Sequence, residues 1–580
     1  MKKIVMLKLI VVGVVGWVNV YAKHTSVETA DTVFINGRIY TLNEAEPWVE
    51  AVAIKEQRYV AVGTEKEVKQ WIGPTTMVID LKEKMAMPGI NDAHTHLYGG
   101  LKSLYYCNFD PSSNLTQIKI RLQQCVEDNP EQKMIMGGYW VSSFFDDNNI
   151  ESPKAWLDQI VGADVSVILS DDSGHNVWVN SAALKEIGYK RDTIDPLGGT
   201  ILRDKAGDPT GLLYEVAAQN IEAFFQDRWP QSARVDGLKY TISEINRYGI
   251  TGIKDASTGF GDLQALYGID KSAGLTAHVA TSLFTPYGPR NKALDYDFYD
   301  DLSASNASVN LHTKFIKFFL DGVPTSSRSA AMLAPYKMDH KHTGATVSNT
   351  GMLHLQGELL INDLIELDKR GFTIKLHAAG DRSVRVALDA IEKMRKANNN
   401  QLKMHEIAHA GFISDADLSR FEQLNVAADI SPYLWFPSPI IDNIVSVLGS
   451  LGQHYIPNRK LLQNDATIIA GSDWPSVSLT PNPWPGIEAT VTRKNPFKES
   501  ADIFWPEQRL SLEETLKIFT VNGAKALTME GQTGAIKLGL FADFIVLKDN
   551  LFEIPKEKIS DTVIEQTWFK GEQVWSTSTQ

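Results

Sequence analysis

The stretch that decides the fold is Lys82–Gly100, "KEKMAMPGINDAHTHLYGG". An apolar run enters Pro88-Gly89, and two histidines flanking one threonine follow at once. Side chains alternate faces along a strand, so His94 and His96 would point the same way, one step apart. That spacing suits two imidazoles holding one metal ion. Alone, the same three residues also describe a polar turn, and the rest of the chain has to separate the two readings.

Short apolar runs recur downstream, several followed by helix-like segments. "GFTIKLHAAGD" leads into "RSVRVALDAIEKMRKA", and "HEIAHAGF" into "SDADLSRFEQL"; "HTKFIKFFLDG" and "ATIIAGSD" have the same apolar character. Strands alternating with helices predict a parallel α/β architecture. About eight such units predict a (β/α)₈ TIM barrel, whose chemistry sits at the C-terminal ends of its strands. Both chain ends read instead as short alternating strands, in "ADTVFINGRIYTLNEAEPWVEAVAIKEQRYVAVG" and in "ADFIVLKDN" with "TVIEQTWFKGEQVW". The expected organisation is a composite β-sandwich from 23–86 and 530–580 and a barrel domain over 87–529. An insertion at about 105–235, rich in Gly, Asp and Trp, would lie over the barrel mouth.

Five apolar runs end in groups able to bind metal. They carry His94 with His96, Lys317 with Asp321, His377, His409, and Asp473. In "HEIAHA", His405, Ile407 and His409 share strand parity. A lysine such as Lys317 inside an apolar strand is costly unless its charge is removed or paired. Lys375 shares a face with His377 and is the rival inward lysine. Singly, a strand-end histidine reads as a satisfied core residue and a strand-end Asp as a helix cap, which is how Asp381 and Asp415 read. Five in barrel order outrun those single explanations. The chain carries its own control: His340 and His342 form a second H-x-H in a polar stretch with no strand before it, and read as a loop. His24, His278, His312, His354 and His454 have no supporting context.

Composition narrows the class. With 43% hydrophobic and 22% charged residues, the 580-residue chain is globular and too long for one ordinary core. A formal net charge of -13 without a basic patch argues against nucleic acid or an anionic membrane as partner. Lys2 and Lys3 precede the apolar run "IVMLKLIVVGVVGWVNV", and Val20 and Ala22 suit a cleavage site, so 1–22 reads as a signal peptide. The expected mature protein is secreted or periplasmic, without a stable membrane anchor. Cys107 and Cys125 are the two cysteines, too few for a thiolate zinc site; their pairing stays open.

These residues resemble the amidohydrolase superfamily. "MPGINDAHTHL" is similar to its first-strand signature. "SGHNVWVNSAAL", "GGTILRDKAGDPTGLLYE", "KFFLDG", "HAAGD", "GSDWP" and "LTMEGQTGAIKLGLFADFIVL" follow in the order of the YtcJ-like branch, which includes N-substituted formamide deformylases. The resemblance implies that His94 and His96 hold a more buried metal and that a carboxylated Lys317 bridges two metals. It implies His377 and His409 on the second metal, Asp473 as ligand and proton shuttle, and His175 as a catalytic group facing the substrate. Imidazole and oxygen ligands suit two zinc ions, with manganese or iron as alternatives. Tyr139, Trp140 and Trp178 are expected to contact the substrate or to pack the insertion. One departure stands out: Ala408 occupies the place of the branch's usual glutamate beside His409.

The expected function is hydrolysis of a C–N bond in a non-peptide amide or N-substituted formamide of small size. The alternatives are a mononuclear deaminase-type amidohydrolase and a catalytically silent binding protein. Whether the chain forms a homo-oligomer is open.

Overall fold

The structure, a computed structural model, describes residues 28–577 apart from 142, 143, 149, 163, 326, 338–349 and 477. The leader, His24, His340 and His342 lie outside the described residues. Eight parallel strands form the central sheet: β1 (Ile90–Thr95), β2 (Ile250–Thr258), β3 (His278–Phe284), β4 (Leu311–Phe319), β5 (Thr373–Ala378), β6 (His405–His409), β7 (Val426–Ile430) and β8 (Ile468–Ala470). Neighbours follow chain order from β1 to β8. The remaining gap is spanned just beyond β8, where Asp473 N–H donates to His94 O at 2.7 Å and His96 N–H to Trp474 O at 2.7 Å. Gly471 permits that approach: a Cβ there would lie 2.2 Å from His94 N. The chain is a (β/α)₈ barrel, with helices such as Gly357–Lys369 and Asp381–Asn398 joining successive strands.

The barrel interior changes character with height. An apolar layer holds Ala93, Ala280, Phe315, Ala427 and Ile469. Against it lies a charged layer, with Lys254 Nζ 4.3 Å from the Phe315 ring centre. There Lys254 pairs with Glu406, and Lys375 with both Glu406 and Asp429. The histidines stand above this layer. Buried charges survive when paired and hydrogen-bonded, as these are.

Two further sheets pack together, and the second joins the chain ends. One contains Thr32–Ile35, Ala51–Lys55, Arg58–Gly63 and Met77–Asp80; the other pairs Arg38–Tyr40, Trp48–Val49 and Met85–Pro88 with Phe544–Leu547, Ile564–Phe569 and Glu572–Ser576. Phe34, Phe544 and Trp568 pack between them, ring centres 4.9–5.8 Å apart. His278 ties barrel to sandwich, its Nε2 2.8 Å from Asp543 Oδ2. Residues 107–215 build a separate six-stranded mixed sheet, and Cys107 is disulfide-bonded to Cys125 with Cα atoms 6.0 Å apart.

The helix-cap reading shifts by one residue. Gly380 and Ser414 occupy the cap positions, and Asp381 and Asp415 begin the helical segments. Among the described residues no helix is long and apolar enough to cross a membrane.

Candidate metal and substrate site

Strand ends gather His94, His96, Lys317, His377, His409 and Asp473 on one cavity of about 460 Å³. One ligand atom each from His94, His96 and Asp473 lies within 4.8 Å of the others. Asp473 is the hub. Its Oδ1 is 3.6 Å from His94 Nε2 and 3.3 Å from His96 Nε2, and its Oδ2 is 3.8 Å from His409 Nδ1. His377 packs against His409 at 4.7 Å between ring centres.

Hydrogen bonds orient these rings. His94 Nδ1 is 2.6 Å from Asp429 Oδ2, which leaves Nε2 buried without a hydrogen-bond partner. His377 Nδ1 is 3.1 Å from Asp321 Oδ1. Asp321 also accepts backbone N–H groups of Ala331, Ala379 and Gly380 and the Ser383 hydroxyl. An imidazole whose far nitrogen is held by a carboxylate keeps the other lone pair directed at an ion. Burial, reinforced by Lys375, holds His94 well below its ordinary pKa. Burial and His377 do the same to His409, and burial outweighs Asp321 at His377. All three are therefore neutral, the form that binds metal. Neutral imidazoles, an orphaned buried Nε2 and a central carboxylate fit a divalent cation.

Burial alone would raise the Asp473 carboxyl, but His94, His96 and Lys317 outweigh it and hold the group below its usual value. Asp473 and His409 have φ of 54° and 69°, and Ala410 has 41°. Positive φ at non-glycine residues is a strained arrangement found at functional sites. It also replaces the parity argument for His409. In register, Glu406 faces Lys375 and Ala408 faces His377. His405 turns away, its Nε2 3.2 Å from Asp368 Oδ1. His409 reaches the cavity because its backbone leaves the strand.

The two inward lysines separate cleanly. Lys375 is locked by Asp429, by Glu406 at 3.0 Å and by Ala93 O at 2.9 Å. Lys317 is 1% exposed, and no carboxylate among the described residues lies within 4.0 Å of its ammonium. Burial, with Lys375 nearby, pushes it down to about 8.

His175 approaches from the insertion, 5.6 Å from His377 between ring centres. Its Nδ1 is 2.9 Å from Glu215 Oε2, and Tyr287 O–H donates to the same oxygen at 2.6 Å. Burial would lower His175, but Glu215 more than offsets it and the histidine is raised. Glu215 itself falls to about 2, the His175 charge outweighing its burial.

The substrate-facing expectation for Trp140 and Trp178 is corrected by their position. Both pack in the insertion's apolar cluster, outside the cavity wall. Their indole N–H groups donate to Leu169 O and Pro153 O, each at 2.9 Å. Tyr139 is likewise turned to Pro475 O. Glu215, Tyr287 and Asp429 went unread in the sequence. Glu215 ends the quoted "GLLYE", but an acid at a strand end shows no histidine partner until the chain folds.

The Amidohydrolase family model matches residues 77–575. The chain belongs to the amidohydrolase family. Protein LONG AFTER FAR-RED 3 of Arabidopsis thaliana is 28% identical over 565 residues, covering 94% of this chain and 92% of that one. N-substituted formamide deformylase of Arthrobacter pascens is 23% identical over 556 residues, covering 93% and 97%. An uncharacterized metal-dependent hydrolase from Pyrococcus horikoshii shares the fold, with a TM-score of 0.70 at 20% identity over 90% of this chain and 99% of that one. The amidohydrolase resemblance of the sequence motifs thus holds over nearly the whole chain.

Proposed function

We propose that the protein hydrolyses the C–N bond of a small non-peptide amide or N-substituted formamide. The observation that carries this is Asp473, a buried carboxylate within 3.8 Å of three imidazoles, those of His94, His96 and His409, at one cavity. His94, His96, His377, His409 and Asp473 would hold the metal, zinc best matching their donor set. When bound, such an ion lowers the pKa of water toward about 7 and polarises a carbonyl.

The chain's own groups do the rest. Asp473, ionised at neutral pH, accepts the proton of the attacking water and returns it to the departing nitrogen. His175, biased toward its protonated form by Glu215, faces the cavity and donates toward negative charge developing on the substrate. Lys317, unpaired and lowered to about 8, has a minor but far larger free-amine fraction at neutral pH than an ordinary lysine. That amine adds to carbon dioxide, forming an N–C bond and releasing a proton, and the carbamate offers two oxygens where the ammonium offered none.

A one-ion, deaminase-type reading has one observation in its favour. Among the described residues, His94, His96 and Asp473 form the one group of three or more such donors that lie within 4.8 Å of one another. Elemental analysis of protein from zinc- and bicarbonate-supplemented cells tests both. Two ions per chain with turnover of formamides supports the bridged site; one ion with deamination supports the alternative. No metal, and no rescue by added metal, overturns both. The proposal includes export: the basic and apolar leader supports it, and so does the Cys107–Cys125 disulfide, a feature of oxidising compartments. A mature N-terminus at Met1 would reject it.

A further inference from the structure

The cavity lining is chemically mixed. Phe284, Phe319, Leu434, Ile440 and Ile444 contribute apolar surface, and Lys102 is among the polar residues that line it. Lys102 sits on the helix Gly99–Tyr105, which begins three residues after His96. It is 8% exposed, and among the described residues its ammonium has no hydrogen-bond acceptor and no carboxylate within 4.0 Å. Its Nζ lies 5.0 Å from the Tyr98 ring centre and 5.9 Å from that of Tyr106. Aromatic faces stabilise a cation but leave its N–H groups unsatisfied. A buried ammonium in that state is costly unless a partner arrives.

Glu222 and Asp171 partly offset the burial of the Lys102 charge from a distance, but neither bonds it. Glu222 accepts the Ser170 hydroxyl and stays more than 4.0 Å from Lys102. Asp171 is held by Ser173 at 2.8 Å and by Asn176. Asp262 is paired with Arg234 at 2.9 Å. Tyr98 joins Lys102 to the metal-binding histidines: its ring centre is 5.6 Å from that of His96. The ammonium is therefore no farther from the His96 ring than those two short steps combined.

We infer that Lys102 receives a carboxylate of the substrate, so that the substrate is an amide carrying both a carboxylate and an apolar group. This rests on the hydrolase reading and sharpens it. A lysine bonded to a carboxylate in a largely dehydrated pocket discriminates by about tenfold or more against a neutral counterpart.

The first test compares kcat/KM for N-formylleucine and its methyl ester with the metal-loaded enzyme. Wild type is expected to prefer the acid at least tenfold, and Lys102→Met to reduce that ratio by about tenfold, chiefly through KM. Lys102→Arg, which keeps the charge, should retain part of the preference. A wild-type preference for the ester, or an unchanged ratio in folded Lys102→Met, overturns the inference. The second test needs no turnover: calorimetry of N-butylleucine, which has no amide to cleave. Binding by wild type and Lys102→Arg that Lys102→Met loses supports carboxylate recognition even if no amide is hydrolysed, in which case only the hydrolase reading fails. Equal binding by Lys102→Met, or no binding by wild type, overturns it.

Discussion

Asp429 Oδ2 lies 2.6 Å from His94 Nδ1, and the same oxygen accepts the Lys375 ammonium. One carboxylate atom thus fixes the tautomer of a metal-site histidine and neutralises a buried lysine. The arrangement explains why Lys375 is unsuited to carboxylation while Lys317, one strand away, is free. Asp429→Asn is expected to weaken metal binding by about 10–100-fold, the usual cost of losing such a partner. Competition with a chromophoric chelator measures it. An unchanged affinity would show that packing alone orients His94.

Glu406 makes a sharper stability prediction. Its two oxygens serve two lysines: Oε1 pairs with Lys254, and Oε2 lies 3.0 Å from Lys375. All three side chains are at most 2% exposed. Removing one charge from a buried network strands the others, at about 3–5 kcal/mol. Glu406→Gln should lose stability on that scale in urea unfolding, with Lys254 left wholly unpaired. A loss below about 1 kcal/mol would mean that water reaches the charged layer.

The barrel was legible because its strands are apolar runs ending in chemically distinctive residues. His94, His96, His377 and Asp473 sit where strand-end logic places them. The parity reading of "HEIAH" was misleading, because His409 depends on φ of 69°, which no pattern of alternation encodes. Trp140 and Trp178 misled for another reason. Aromatic content identifies a residue that needs burial but not the core that receives it. The carboxylates behind the histidines were hidden because each partner lies far along the chain, 335 residues in the case of His94 and Asp429.

The His175–Glu215 pair predicts a pH dependence with a definite sign. Glu215 raises His175 above its ordinary 6.5 against the opposing effect of burial. The pair's stabilisation is fully present between about 4.5 and 6.5; it is lost as pH falls through the Glu215 value of about 2 and as pH rises through the raised His175 value. Turnover that uses the protonated ring should fall as pH rises through that His175 value. Glu215→Gln removes the raising influence and leaves burial to act, so the basic limb of the kcat profile should move to lower pH. A limb that stays in place would assign it to another group.

The insertion's disulfide predicts a local effect. Cys107 and Cys125 close a loop with a sequence separation of 18. Loop-closure entropy for that length is about 3 kcal/mol. Cys107→Ser with Cys125→Ser should therefore destabilise the insertion by up to that amount, and amide exchange there should rise while barrel strands stay protected. Uniform loss of protection would show that insertion and barrel unfold as one unit.

Two glycines on helices should respond oppositely to alanine. Gly100, two residues before Lys102, faces the helix Gln231–Arg247, and a Cβ there would lie 1.9 Å from Gly237 O and 2.5 Å from Thr241 Oγ1. The backbone oxygen cannot swing aside, so the helix bearing Lys102 has to move. Overpacking of this kind costs about 1–3 kcal/mol, more than the roughly 1 kcal/mol that alanine contributes to helix propensity. Gly268, in the helix Phe260–Ser272, has nothing within 4 Å of its Cβ position. Gly268→Ala should raise Tm, through propensity alone. Gly100→Ala should lower Tm and raise KM, because Tyr98 and Lys102 shift with the helix. If Gly100→Ala is also stabilising, the close approach of the two helices is not a constraint on the position of Lys102.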